Sequence, residues 1–246
     1  MTSKARQQLR AAQAAKAARK RVLRIVGTAT VLVVVVAAIL VTVFVFKPWE
    51  TPVGPAGAVG QPPNGNAKAI VVNPGKAPAS APLVEIFLDY QCPNCRVMET
   101  AYGPEFEKLA EAGTIQLQYR TMTFLDQNLQ NDSSTRAAVA AACADTVGVY
   151  PAYHDQVFAN QPQEGLGYSD AVLRQTIPAA VGLSGDKLTT FQQCYDTRAT
   201  APFVTQVADQ ALKDGVHSTP TVHVNGKDFS PGAPADLGAA IAQAAG

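Results

Sequence analysis

The chain has only four cysteines and three histidines in 246 residues, and beyond Cys92-Pro93-Asn94-Cys95 it holds no second pair of closely spaced cysteines. A tetrahedral structural zinc needs two more ligands at comparable spacing, and Cys143 and Cys194 each stand alone. His154 and His223 read as surface or half-buried positions with no ligand spacing, and His217, ahead of the Ser-Thr-Pro stretch, as either near a site there or a solvated loop histidine, so no metal is implied. The sequence also lacks any internal repeat, which excludes a solenoid or propeller. Two further absences lie at the N-terminus: residues 1–24 contain no acidic side chain, and residues 25–46 contain no charged one.

What stands in those places is informative. Lys4, Arg6, Arg10, Lys16, Arg19, Lys20, Arg21 and Arg24 make residues 1–24 a basic tail. The 22 uncharged residues from Ile25 to Phe46 are rich in Val, Ala, Ile and Leu. As a helix they would span about 33 Å, enough for a bilayer core. Lys47, Pro48 and Trp49 then supply an interfacial anchor. Basic flanks stay cytoplasmic, so the sequence predicts a cytoplasmic tail, a transmembrane helix over 25–46 and an extracytoplasmic remainder in the cell membrane. A cleaved signal peptide is the competing reading. Its apolar region would be about 7 to 15 residues long with a small-residue cleavage site close behind, which favours the uncleaved anchor. Without its tail the chain carries twelve basic against nineteen acidic residues, a net charge of −7, which argues against nucleic acid as a partner.

Residues 47–80 read as a Pro/Gly-rich linker, interrupted by the apolar run Ala69-Ile70-Val71-Val72, which is either an edge strand or a sticky spot in the linker. Residues 81–246 are long enough for one domain with its own core. Leu83-Val-Glu-Ile-Phe-Leu88 reads as a buried strand, and Ile115 to Thr121 alternates as a second. A largely helical stretch, about 132–214, is followed by a strand at Thr221–Val224, the turn Asn225-Gly226, a short partner strand and an Ala-rich helix over 234–245.

Cys92 to Cys95 falls where the first strand gives way to a helix. Pro93 suits a first helical turn, and Val97, Met98, Ala101 and Phe106 give that helix an apolar face. Unpaired N–H groups and the positive end of the helix dipole favour a thiolate on Cys92, with Cys95 more buried as the resolving thiol. Redox exchange is therefore the leading reading, with half a zinc site or an inert staple as alternatives.

Asp89-Tyr90-Gln91-Cys92-Pro93-Asn94-Cys95, Ser218-Thr219-Pro220-Thr221 and Val224-Asn225-Gly226-Lys227 together resemble the motifs of the DsbA family of exported thiol:disulfide oxidoreductases, in its membrane-anchored Gram-positive and actinobacterial form. The resemblance covers about 81–246. It implies an α/β thioredoxin-like fold with a helical insertion at about 132–214, preceded by the single transmembrane helix. It implies a cis peptide before Pro220, with Thr219 offering its backbone to an extended substrate. Cys92 and Cys95 are the implied catalytic pair, modulated by Pro93 and by Asn94, whose neutral side chain points to a milder oxidant than relatives with histidine there. The implied partners are unfolded exported proteins with free cysteines and a membrane quinone-linked reoxidising protein. No cofactor is implied, and the expected state is a monomer.

Glu85 resembles the buried acid that accepts protons near the resolving cysteine in this superfamily, displaced by one residue from the usual offset. Cys143 and Cys194 are leftover cysteines of an exported domain, which usually pair structurally. Related actinobacterial members resemble this in carrying an extra helical disulfide. A second redox pair is the sharper alternative. A disulfide reductase or isomerase, and, from another class, an anchored copper(I) metallochaperone using Cys92, Cys95 and His217, are the competing functions.

Overall fold

The structure, a computed structural model, describes residues 60–246. The basic tail, the apolar span over 25–46 and the first part of the linker lie outside the described residues. Among the described residues no helix is long and apolar enough to cross a membrane.

The strands are β1 (Ile70–Val72), β2 (Leu83–Leu88), β3 (Gln116–Thr121), β4 (Thr221–Val224) and β5 (Lys227–Asp228), in the sheet order β1-β3-β2-β4-β5. β2 runs parallel to β3, with Val84 opposite Leu117 and Ile86 opposite Tyr119. The parallel step needs a crossover, which α1 (Pro93–Glu111) supplies. β4 returns antiparallel to β2, and β1 closes the far edge antiparallel to β3. The β4–β5 hairpin turns at Asn225 and Gly226, with φ of 50° and 77°, the two left-handed residues that a tight hairpin turn requires.

Between β3 and β4 come α2 (Leu125–Leu129), α3 (Ser133–Thr146), α4 (Tyr150–Ala159), a π-helical turn over Val172–Thr176 running into α5 (Ile177–Ala180), then α6 (Gly185–Asp196) and α7 (Ala201–Lys213). A 3₁₀ turn and α8 (Leu237–Ala245) end the chain. The expected helical insertion is therefore present. Its Ala-rich α3 is buried along almost its whole length, because small side chains let neighbouring helices approach on every side.

Period-two alternation divides β2 between two faces. Val84, Ile86 and Leu88 join the main core with Cys92, Cys95, Met98 and Phe106 of the α1 side. Phe87 points the other way, into a smaller cluster with Met122, Ala211 of α7 and Val216.

The sequence-based boundary at 80/81 is too late. β1 is part of the sheet, Ala69 and Ile70 are buried, and the Asn64 backbone N–H and side-chain amide each donate to the Asp145 carboxylate of α3 at 2.8 Å. A segment rich in Pro and Gly is held here by contacts with residues 45 to 81 positions away, which composition does not report.

Candidate active site

β2 stops at Leu88, and Asp89-Tyr90-Gln91 turns the chain into α1. The turn is closed by the Cys92 N–H donating to Asp89 O at 2.9 Å. Cys92 is the N-cap, with φ −74° and ψ 118°, and Pro93 occupies the first helical turn, where no N–H is needed. Cys92 O accepts the N–H groups of Cys95 (3.1 Å) and Arg96 (3.3 Å). Both thiols are free: Cys92 keeps 8 % of its surface exposed and Cys95 none.

The two sulfurs differ in acidity by design of their surroundings. The Cys95 thiol donates to Cys92, and the backbone N–H groups of Cys95 and Asn94 add to this. Against the opposing effect of burial they bring Cys92 down to about 6. Burial first, then the neighbouring Cys92, pushes the Cys95 thiol far above the ordinary range. At neutral pH the pair is a thiolate on Cys92 and a thiol on Cys95.

Across from them, the Thr219–Pro220 peptide is cis, and Cys92 Sγ lies 3.5 Å from Thr219 O. Thr219 Oγ1 is buried without a hydrogen-bond partner. Beside this loop opens a cavity of about 640 Å³, lined by Met98, Val216, His217, Pro220, Phe229 and Pro231 among others. His217 is exposed on its rim. Asn94 is exposed and Pro93 half-buried beside Cys92.

Glu85 is placed elsewhere. It shares the Phe87 face of β2, where Arg120 Nη1 donates to its carboxylate at 3.1 Å while Arg120 Nη2 reaches Asp214 at 2.7 Å and the guanidinium covers the Phe87 ring at 4.6 Å. Cys95 belongs to the core on the opposite face. The expected role of Glu85 as proton acceptor for the resolving thiol is corrected by that geometry: the sheet stands between them.

The acids on the cysteine side are others. Asp89 is fully buried, and burial raises its carboxyl to about 7 despite hydrogen bonds from Ser134 Oγ (2.6 Å) and the Gln91 (2.9 Å) and Leu125 (3.3 Å) N–H groups. Glu99 lies one helical turn beyond Cys95 on the same buried face of α1. Its carboxylate meets His154 Nε2 at 3.5 Å and accepts the Tyr119 hydroxyl at 3.4 Å, while His154 Nδ1 and the Tyr90 hydroxyl lie 2.9 Å apart. His154, read from sequence as a surface or half-buried side chain, is fully buried among Tyr90, Tyr119, Tyr150 and Phe158. The (i, i+4) spacing of Cys95 and Glu99 was the one sequence signal for this cluster.

The insertion also grips the active-site turn. Gln161 donates to Tyr90 O and Cys92 O, the Tyr168 hydroxyl reaches Tyr90 O, and Gln91 donates to Asp126, Asn131 and Ser134. Cys143 of α3 and Cys194 of α6 are joined in a disulfide, with Cα atoms 5.8 Å apart. Each lies in the last turn of its helix, where no free N–H groups stabilise a thiolate as they do at Cys92, and Cys143 is wholly buried, so the bond reads as a staple. Among the described residues no group of three or more His, Cys, Asp or Glu side chains is arranged to hold a metal ion.

The thioredoxin family model matches residues 74–243. Among solved structures, reduced DsbA from Mycobacterium tuberculosis is similar at 27 % identity and a TM-score of 0.59, with 73 % of this chain and 93 % of that one covered. MdbA, a thiol-disulfide oxidoreductase from Corynebacterium diphtheriae, is similar in fold at 21 % identity and a TM-score of 0.61, with 78 % and 96 % covered. BdbD from Bacillus subtilis matches in fold at 22 % identity and a TM-score of 0.56, with 76 % and 94 % covered. No curated protein sequence matches the chain.

Proposed function

For a chain that belongs to the thioredoxin family, as this one does, we propose a DsbA-like thiol:disulfide oxidoreductase that forms disulfides in exported proteins. The observation that carries this reading is the asymmetry of the pair: a thiolate-prone Cys92 opposite the cis-proline loop, and a Cys95 thiol held protonated behind it.

In the oxidised enzyme a substrate thiolate attacks Cys92 Sγ, the Cys92–Cys95 bond breaks, and Cys95 leaves and takes up a proton. The substrate segment lies extended along Thr219, pairing with its backbone as an added strand would. A second substrate thiolate then attacks the substrate sulfur of the mixed disulfide. Cys92 leaves as the stabilised thiolate, and the substrate departs with its new disulfide. The low pKa of Cys92 favours that last step, because a better leaving thiolate departs faster and a more stable reduced enzyme makes a stronger oxidant.

The setting of the reaction rests on the sequence. The uncharged run over 25–46 between a basic tail and Lys47-Pro48-Trp49 supports a single-pass anchor with the catalytic domain outside the membrane. The segment from 47 to the start of the fold is the tether. Partners are unfolded exported chains with free cysteines and a membrane quinone-linked protein that returns Cys92 and Cys95 to the disulfide, the catalytic domain acting as a monomer.

The test is turnover of a reduced, unfolded substrate by the purified full-length protein, with metal content measured on the same sample. Multiple disulfides formed per enzyme in the presence of an added oxidant support the reading. Stoichiometric soft metal on Cys92 and Cys95 with no substrate oxidation would replace it with the metallochaperone.

A further inference from the structure

Gln161 belongs to the insertion, not to the strand–helix unit that carries the cysteines. It sits just past the end of α4, where its own N–H donates to Phe158 O at 3.1 Å and Pro162 stiffens the chain after it. From this fixed base its side chain, in a residue only 8 % exposed, reaches the active-site turn. Nε2 donates to Tyr90 O at 2.8 Å and to Cys92 O at 3.0 Å. Both amide hydrogens are thus used, and two carbonyl acceptors leave the amide one orientation. The Tyr168 hydroxyl supports Tyr90 O at 3.0 Å, but Gln161 is the side chain that holds Cys92 O.

That carbonyl is the first of α1. It accepts the N–H groups of Cys95 and Arg96, so its direction fixes the peptide planes of the first helical turn. The same turn aims the N–H groups of Asn94 and Cys95 at Cys92 Sγ. We propose that Gln161 is a positioning residue through which the helical insertion holds the first turn of α1 in the geometry that stabilises a Cys92 thiolate. The insertion then sets the strength of the redox centre as well as its surroundings. This rests on the thiol:disulfide reading, but its test is made on the reduced protein alone and needs no substrate.

The charged and titratable groups around the turn are Cys95, Arg96 and Glu99 on α1, Asp89 and Tyr90 before it, Asp126 on α2, His154 and Tyr168 on the insertion and His217 ahead of the cis-proline. Gln161 carries no charge, so Gln161→Met changes none of them. It leaves Tyr90 O with Tyr168, and Cys92 O with its two helical N–H groups, so the variant keeps the means to fold.

The experiment is titration of the Cys92 thiolate by ultraviolet absorbance in the reduced protein, with the glutathione equilibrium as a second readout. In Gln161→Met the midpoint is expected to move from about 6 toward 7, which at pH 7 makes the protein about five-fold less oxidising. Gln161→Glu moves it further, because an ionised carboxylate cannot donate and sets a negative charge beside the thiolate. Tyr168→Phe, which removes a donor from Tyr90 O and Val157 O but none from Cys92 O, leaves the midpoint in place. A Gln161→Met protein that is less stable but titrates as the wild type does overturns the proposal. So does a Tyr168→Phe protein that shifts as much as Gln161→Met, since general loosening of the turn would then be the cause.

Discussion

Cys92 Sγ lies 3.5 Å from the carbonyl oxygen of Thr219, a residue 127 positions later whose peptide to Pro220 is cis. One atom is the sulfur through which exchange with substrate runs, and the other belongs to the backbone that would pair with a substrate strand. Their proximity turns an acidic cysteine into one that can be addressed by an extended chain. The roles of the two thiols should therefore separate cleanly. Offered a substrate that already carries a disulfide, Cys95→Ser is expected to accumulate mixed disulfides on non-reducing gels, whereas Cys92→Ser forms none. The Cys92 thiolate attacks that bond, one substrate thiol leaves, and no Cys95 thiol remains to displace the other. Mixed disulfides through Cys95 in the Cys92→Ser protein would reverse the assignment.

The acidity of Cys92 also fixes how the two redox forms differ in stability with pH. Its folded value is about 6 against an ordinary thiol near 9. A depressed acid stabilises the folded state fully above its unfolded value, and that stability is lost as pH falls through the folded one. Only the reduced form has this thiolate. Asp89 and Glu107, both raised to about 7 by burial, are present in both forms and cancel in the difference. The reduced form should gain on the oxidised form from pH 5 to pH 8 in chemical denaturation. A gap that stays constant would remove the thiolate from the account.

The Cys143–Cys194 bond closes a loop of sequence separation 51 within the insertion. On the chain-entropy estimate it contributes about 4 kcal/mol. Replacing both cysteines by Ala should lower unfolding stability by about that amount while the Cys92 thiolate titration stays where it is. A shift of that titration would mean that the bond acts on the active site and not only on the fold.

Arg120 should be the most costly single side chain to remove on the opposite face of the sheet. It is 2 % exposed, and without it the buried Glu85 carboxylate has no counter-charge among the described residues. Arg120→Met is expected to cost about 3 to 5 kcal/mol. Burial works against the Asp214 charge, but hydrogen bonds from Arg120, Gln210 and Lys68 hold its carboxyl down to about 2. The stability this pairing contributes is present above the unfolded value near 4 and disappears as pH falls through 2. That acid loss should be reduced in Arg120→Met, measured by denaturation between pH 5 and 2.

How far the sequence carried these conclusions depended on how local each feature is. The limits of β2, the start of α1 at Pro93 and the Asn225-Gly226 hairpin follow from neighbouring residues, and they appear where the pattern put them. Alternation likewise placed Glu85 and Phe87 on one face. It could not say which face meets α1, because that is decided by α7 and Arg120 packing from far along the chain. The same limit hid Gln161 and His154, whose partners lie about 55 to 70 residues away and leave no spacing pattern. It also left Ala69 to Val72 open between an edge strand and a sticky spot in the linker, since Ile70 to Val72 become the edge strand only once β3 is beside them.

The most direct test of the central claim is the redox equilibrium of Cys92 and Cys95 against glutathione at pH 7. A stabilised Cys92 thiolate makes the reduced form the favoured one, so the expected potential is well above that of thioredoxin, in the region of about −200 to −120 mV. A value near about −270 mV would make the pair a reductant and contradict disulfide formation as its function.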